Sequence, residues 1–492
     1  MTTLITLLLP LAGAIVLFLW PKGAGQAAAR YTALGFAVLT LTSSIALISG
    51  RGTAFAVPWV PALGISFNVG VDGLSVFLVV LTALLTLAAL AFTRESERTH
   101  AYFGLVLLLE ASAIGAFVSL DLFLFYVFWE LMIIPAYFLI GGYGGVRRHE
   151  AALKFLIYSL VPSLFMLVGI LVFVWAAFVS QGFLTFSLAQ LIGTHLSLPY
   201  QYWIFLSFMV AFLVKVPVWP LHSWMPDAYG ESPPAVAALL TGVLSKTGLY
   251  AMLRLAMPLF PEAARVLMPY LAAMAIISIF YGAVIALTHR DGRMVIAYSS
   301  LSHLGLVFLG IVALNALGLD GAVLQMVNHG LYAAALFLLF GLVEGATGTR
   351  DIGALGGLAR KAPVFAGFFL FVIMAAAGLP GLNGFAGEFM LLIGIFRTSP
   401  LWAYLGILAA ILAGAYFLRL FQASTQGAKS DDEDVPKVAF SSAQVAVLAP
   451  FLALMLLLGL APGVIVNTIH PATTHIVQVM GQAPSQREVS AR

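Results

Sequence analysis

Five ionisable side chains stand inside apolar runs of this sequence. They are Glu130 in "FYVFWELMIIP", Lys215 in "AFLVKVPVWP", Lys246 in "GVLSKTGLY", His303 in "SSLSHLG" and His329 in "VNHGLY". A sixth, Glu388, follows the interrupted run "GLPGLNGFAG". Carboxylate, amine and imidazole each hold or release one proton, and the balance shifts with burial and neighbouring charge. Brought into line, such groups can hand a proton on. A charge at a bilayer centre costs at least ~2.5–3.5 kcal/mol on insertion scales, so ionisable groups there are rare and usually functional.

Depth follows from a rise of about 1.5 Å per residue. Glu130 lies nine residues past Asp121, roughly 14 Å in, and Lys246 twelve past Pro234, roughly 18 Å in. Lys215 comes about a dozen residues into its run. His303 is nine residues past Met294, and His329 nine past Asp320. All five are expected near the membrane middle, with Glu388 in the outer half. Plainer readings stand beside the functional one. Glu130 with Lys215 could simply join two helices. Lys246 could snorkel to an interface, which its depth opposes. His303 and His329 could be satisfied core histidines or haem ligands, and Glu388 could steady a helix break. Glu110 divides evenly between packing and relay, and His222 and Asp227 between proton uptake and helix capping.

The elements that position these residues are membrane spans. The chain of 492 residues is 62% hydrophobic and 9% charged, with a mean hydropathy of +1.05. A soluble chain carries roughly 25% charged residues. Cysteine is absent, which excludes disulfides, thiolate-bound zinc, cysteine-ligated iron–sulfur clusters and a cysteine nucleophile. The first apolar run has no positive n-region before it and is read as a retained helix. At about 20 apolar residues per crossing, fourteen spans are expected, giving an all-α integral membrane protein. "FLTFSLAQLIG" is read as a short interfacial helix, and "KSDDEDVPK" at 429–437 as a solvated loop.

Spans 7 (203–226) and 12 (364–396) are long and broken, by "KVPVWP" and "GLPGLNGFAG". They sit five spans apart, and a repeat with an odd number of crossings must insert upside down. Paired broken spans point to an inverted-repeat transporter. The expected organisation is an N-terminal three-helix segment (1–100), a first five-helix unit (101–256), a second, inverted unit (269–422), and a C-terminal helix and tail (443–492). One set of alternate loops holds 14 lysines and arginines, among them Arg147, Arg148, Arg290, Arg293 and Arg350. The other holds Arg51, Arg265, Arg397, Arg487 and Arg492. The first set is expected on the cytoplasmic side and both termini outside.

At these residues the chain resembles the antiporter-like subunits of respiratory complex I, above all the M type, and more distantly Mrp-type Na⁺/H⁺ antiporter subunits. The resemblance runs over essentially the whole chain. It is carried by "VGVDGLSVFLVVLT", "DLFLFYVFWELMIIPAYFLIGGYGG", "FLVKVPVWPLHSWMPDA", "LLTGVLSKTGLY", "IAYSSLSHLG" and "LPGLNGFAGEFMLL". It implies that Glu130 and Lys215 form a coupled pair, and that Lys246, His303, His329 and Glu388 continue the proton path. A glutamate at 388 matches the M type; the L and N types carry lysine there. A short tail after span 14 would also separate the chain from the L type. Two departures stand out. Tyr229 replaces a family histidine, and "DGRMVIAY" carries one basic group, Arg293, where two are common.

The resemblance implies a proton-translocating subunit of NADH:quinone oxidoreductase in a bacterial inner membrane, packed against neighbouring antiporter-like subunits. This chain is expected to bind no cofactor and no metal. NADH, FMN, iron–sulfur clusters and quinone would belong to partner subunits. The rivals are a subunit of a multi-subunit Na⁺/H⁺ antiporter, a membrane-bound hydrogenase subunit, and a passive scaffold whose buried charges only hold helices together.

Overall fold

The computed structural model describes residues 1–21, 25–51, 54–93, 99–194, 196–426, 438 and 440–482. The loop at 429–437 and the basic residues Lys22, Arg94, Arg98, Arg487 and Arg492 lie outside the described residues. The main elements are α1 (Thr2–Phe18), α2 (Gln26–Ala46), β1 (Phe55–Val60), β2 (Ile65–Val69), α3 (Val76–Phe92), α4 (His100–Val118), α5 (Leu122–Leu131) and α6 (Ile133–Tyr143). There follow α7 (Arg148–Gln181), α8 (Leu188–Leu191), α9 (Leu198–Lys215), α10 (Trp224–Glu231) and α11 (Pro234–Leu259). The rest are α12 (Pro261–Thr288), α13 (Gly292–Val312), α14 (Ala316–Thr347), α15 (Pro363–Ala376), α16 (Asn383–Thr398), α17 (Pro400–Thr425), α18 (Ser442–Leu460) and α19 (Gly463–Gln482). Among the described residues, eleven helices are long and apolar enough to cross a membrane, and α1, α3 and α15 are shorter apolar helices.

Burial sorts these helices. α11, α13 and α14 are enclosed almost completely, whereas α2, α17 and α18 turn most of their apolar surface outward. The polar groups that lipid would reject therefore ride on the innermost helices. Close approach there depends on glycine. A Cβ on Gly394 of α16 would stand 2.4 Å from the Gly318 backbone of α14, so this contact is backbone against backbone.

Two connections have the same form at opposite ends of the molecule. At one end, Leu122 N donates to Phe186 O (2.8 Å) and Leu188 N to Leu120 O (3.0 Å). Asp121 caps the helix that follows, accepting from the amides of Phe123 (3.0 Å) and Leu124 (3.1 Å). At the other end, Gly292 N donates to Arg350 O and Ile352 N to Arg290 O (both 2.9 Å). Asp291 caps α13 through the amides of Arg293 (2.8 Å) and Met294 (3.3 Å). The first end also carries the β1–β2 hairpin and is called the hairpin face; the second is the arginine face.

Span 7 is α9 and α10, separated by residues 216–223, and span 12 is α15 and α16, separated by 377–382. Neither break leaves its polar groups to lipid. Trp219 N donates to Ser278 Oγ (2.9 Å), and Trp224 Nε1 to Val214 O (2.9 Å). At the other break, Asn328 Nδ2 donates to Asn383 O (2.7 Å) and Asn383 Nδ2 to Asn328 Oδ1 (3.2 Å).

The fold is the expected all-α membrane architecture, with details the sequence did not give. The 1–100 segment holds a two-stranded hairpin besides its three helices, and Ser66 N and Oγ tie it to Asp121 Oδ2 at 3.0 Å. The expected span at 120–140 is one apolar helix over Leu122–Tyr143, in which Met132, ahead of Pro135, keeps helical backbone angles (φ −63°, ψ −29°). The chain after α18 is not a bare tail, because α19 lies along the hairpin face. Its Ile465, Ile469, Thr473, Ile476 and Met480 are buried at helical spacing. His470 Nδ1 and Thr473 Oγ1 of α19 both reach Asp320 of α14, the first at 2.7 Å.

The backbone contact at Gly394 predicts that Gly394→Ala destabilises the protein by about 1–3 kcal/mol through overpacking. Gly414→Ala, with nothing within 4 Å of the new Cβ, is expected to leave stability unchanged or raise it. Thermal melting in detergent checks this, and equal melting temperatures for the two variants would contradict it.

Candidate functional site

Lys246 lies in a helix that is not regular. α11 widens into π-turns at Leu240–Leu244 and Met252–Ala256, on either side of the lysine. A π-turn shifts the backbone ladder by one residue and aims side chains and carbonyls at new partners. Thr241 O accepts from Ser245 Oγ (2.8 Å) and also from Lys246 Nζ. The same amine stands 2.6 Å from His329 Nδ1 on α14. Both residues are fully buried. The approach of the two helices again uses glycine, since a Cβ on Gly330, next to His329, would stand 3.1 Å from Gly242 O.

From His329 the polar line continues. The His303 ring on α13 lies with its centroid 6.0 Å from that of His329, and Tyr332 packs edge-on against both. His303 Nδ1 meets Glu388 Oε1 at 3.1 Å, and its Nε2 meets Tyr416 OH at 3.1 Å. Gln325 Nε2 donates to Glu388 Oε1 (3.3 Å) and to Tyr332 OH (3.2 Å). The structure therefore brings Lys246, His329, His303 and Glu388 into one sequence of neighbours drawn from α11, α14, α13 and α16. Each of the four is at most 5% exposed.

Glu130 and Lys215 are placed differently. Lys215 is the last residue of α9, and its buried amine has no hydrogen-bond partner among the described residues. It lies 4.9 Å from the centre of the Trp129 ring, a cation–π distance. Glu130 is half-buried, and its Oε1 also has no partner. The expected pair makes no direct ion pair here. Trp129, next to Glu130 in the chain, takes the near position on the amine, and Glu130 stays within electrostatic reach of Lys215. α9 nevertheless packs on α11 beside the main line, because Gly248 lies 3.2 Å, measured from an ideal Cβ, from Lys215 Cβ.

The flanking residues divide as well. Asp227 pairs with Lys154 at 2.7 Å, His222 packs edge-on against Tyr281 with ring centres 4.8 Å apart, and Ser223 Oγ donates to Tyr158 OH at 2.7 Å. Tyr229 is buried and donates to Leu240 O (3.3 Å), at the π-turn that precedes Lys246. Glu110 is buried with both carboxyl oxygens lacking a protein partner. Sequence reasoning missed Tyr416, Tyr332, Gln325, Asn328 and Thr241. For three of these a signal exists: Gln325, Asn328, His329 and Tyr332 in "LQMVNHGLY" share one helical stripe. Nothing in the local sequence marks Tyr416 or the π-turns.

The sequence pattern of the NADH:quinone oxidoreductase/Mrp antiporter transmembrane family matches residues 119–413. NADH-quinone oxidoreductase subunit M of Rhodobacter capsulatus is 37% identical, over 96% of this chain and 95% of the relative. Among solved structures, a chain of respiratory complex I from Thermus thermophilus, solved with bound NADH, superposes with a TM-score of 0.89 at 33% identity, covering 98% of this chain and 100% of that one. A chain of the Mrp complex from Dietzia sp. DQ12-45-1b shares the fold, with a TM-score of 0.86 at 23% identity over 97% and 98%. With more than half its length matched by the family pattern and a relative of this identity along almost all of it, the chain belongs to the NADH:quinone oxidoreductase/Mrp antiporter family, in its subunit M group.

Proposed function

We propose that this chain moves protons as an antiporter-like subunit of the membrane arm of an NADH:quinone oxidoreductase, beside other subunits of the same kind. The observation that carries this reading is the unbroken neighbour line Lys246–His329–His303–Glu388 through the innermost helices. The chain itself holds no redox centre in this reading; NADH, FMN, iron–sulfur clusters and quinone act on partner subunits. It sits in a bacterial inner membrane with the arginine face toward the cytoplasm and both termini outside.

The path has two five-helix units, 101–256 and 269–422, inverted with respect to each other. The matched backbone bridges at Asp121 and Asp291 on opposite faces support this division. A proton taken up from the cytoplasm loads Lys246, which stands in contact with His329. An imidazole accepts at one nitrogen and donates from the other, so His329 and then His303 carry the charge onward to Glu388. Glu388 releases it outside. The 6.0 Å between the histidine ring centres suits a bridging water as well as a swing of one ring. Lys215 holds its proton more tightly when Glu130 approaches and less tightly when it retreats. Its charge next to Lys246 then biases loading of the line. Each charge moved against the field costs about 2.3 kcal/mol per 100 mV, so redox energy from the partner subunits has to drive the cycle.

Two variants test this in membrane vesicles, with assembly followed on native gels. Glu130→Ala is expected to assemble while NADH:quinone turnover and proton pumping fall together. Intact pumping would make the Glu130–Lys215 region structural. His329→Ala interrupts the line itself, and pumping is expected to fall by about tenfold or more, equivalent to at least about 1.4 kcal/mol on the barrier. Normal pumping in an assembled complex would remove His329 from the path. Pumping that requires Na⁺ in the medium would instead favour an antiporter of the Mrp type.

A further inference from the structure

The mechanism above gives no role to the outward continuation of α11. Tyr250 and Arg254 follow Lys246 at four and eight residues, on the same side of the helix. Arg254 therefore stands about 12 Å nearer the hairpin face than Lys246. Tyr250 is fully buried, and its hydroxyl donates to Phe117 O at 2.8 Å. Arg254 Nε donates to the Tyr250 hydroxyl at 3.0 Å, and the guanidinium lies 5.4 Å from the Tyr250 ring centre. Arg254 Nη2 meets Asp72 Oδ1 at 2.5 Å. The Arg254 side chain is 17% exposed and that of Asp72 is 40% exposed. Above them lies a cavity of about 220 Å³, lined by Asn68, Asp72, Ser187, Arg254 and His475, with α19 as its roof.

Along α11, Arg254 and then the buried Tyr250 stand between this cavity and Lys246. A guanidinium does not give up its proton in a protein, so it cannot serve as a relay. A fixed positive charge in a narrow passage excludes protons and cations. At an effective dielectric constant near 20, a cation approaching to about 12 Å of a fixed positive charge loses roughly tenfold in occupancy. Asp72 neutralises it only in part, because the carboxylate is the more exposed partner and faces the cavity.

We propose that Arg254 is an electrostatic seal that closes the outward side of Lys246 to protons, leaving Glu388 as the route of release. This inference rests on the proton-translocation reading and on the orientation given above. It separates two functions along one helix, loading at Lys246 and exclusion at Arg254.

The test uses the whole complex, purified and reconstituted into liposomes. NADH:quinone turnover, the proton gradient formed, and decay of that gradient after turnover is stopped are measured together. Arg254→Gln is expected to assemble and to oxidise NADH at the normal rate. It should move fewer protons per electron and let the gradient decay roughly tenfold faster. Arg254→Lys restores the charge and should restore tightness. Asp72→Asn breaks the ion pair but leaves the guanidinium uncompensated, so its gradient should decay no faster than that of the unmodified complex. An ion pair that merely joined α3 to α11 would make Asp72→Asn and Arg254→Gln equally defective, and that result overturns the seal. A tight Arg254→Gln complex with a normal proton yield also overturns it. Should Arg254→Gln fail to assemble, Asp72→Asn decides alone: a fast-decaying gradient refutes the proposal and a tight one upholds it. Failure of the unmodified complex to form any gradient would refute proton translocation itself and not the seal.

Discussion

The contact between Lys246 and His329 is the interaction on which the rest of the arrangement depends. An amine and an imidazole 2.6 Å apart in a fully enclosed site can share a proton, but only if their helices approach closely. Gly242 and Gly330 face each other there, and a Cβ on either would crowd Leu85 or Leu81 of α3 at 2.3 or 2.5 Å while meeting the other glycine's carbonyl at 3.4 or 3.1 Å. The π-turns around Lys246 complete the site. They turn Thr241 O toward the amine, so the lysine has two oriented partners in a place where water is scarce. A regular helix would spend that carbonyl on its own ladder.

The same rule governs the two broken spans. Within a bilayer, backbone amides and carbonyls released from a helix must find partners in the protein or in a polar cavity. Ser278 serves the first break and Asn328 the second. Asn328 neighbours His329 in the chain, so the residue that stabilises the break in span 12 and the residue that continues the line from Lys246 are fixed by one turn of α14. Gln325, one turn earlier, binds Glu388 just beyond the break. Support of the break and the neighbour line from Lys246 thus use adjacent positions of one helix, and a shift of α14 would disturb both.

Glu130 and Lys215 stand outside this line and make no direct ion pair. Trp129, the residue before Glu130 on α5, holds the lysine face-on. The hairpin and α19 clamp the ends of these helices on one face. Asp121 joins the hairpin to the start of α5, and Asp320 joins α19 to the start of α14.

Much of this was legible in the residues themselves. A charge is costly in hydrocarbon, so Glu130, Lys215, Lys246, His303, His329 and Glu388 declared themselves by standing in apolar runs, and the prolines and glycines of 217–220 and 378–387 declared the two breaks. The buried face of α19 was also written at helical spacing, though His470 and Pro471 interrupt its apolar run and obscured it. Pairing was not legible. That Lys246 meets His329 rather than Glu130, that Trp129 rather than Glu130 faces Lys215, and that Tyr416 closes the site from 113 residues away depend on helix rotation and on distances between helices. Those are decided by the packing of whole faces, by glycine contacts and by local π-turns. One sequence determined which residues had to leave the lipid; only the tertiary structure decided which of them would touch, because contact depends on angles and separations that no single helix encodes.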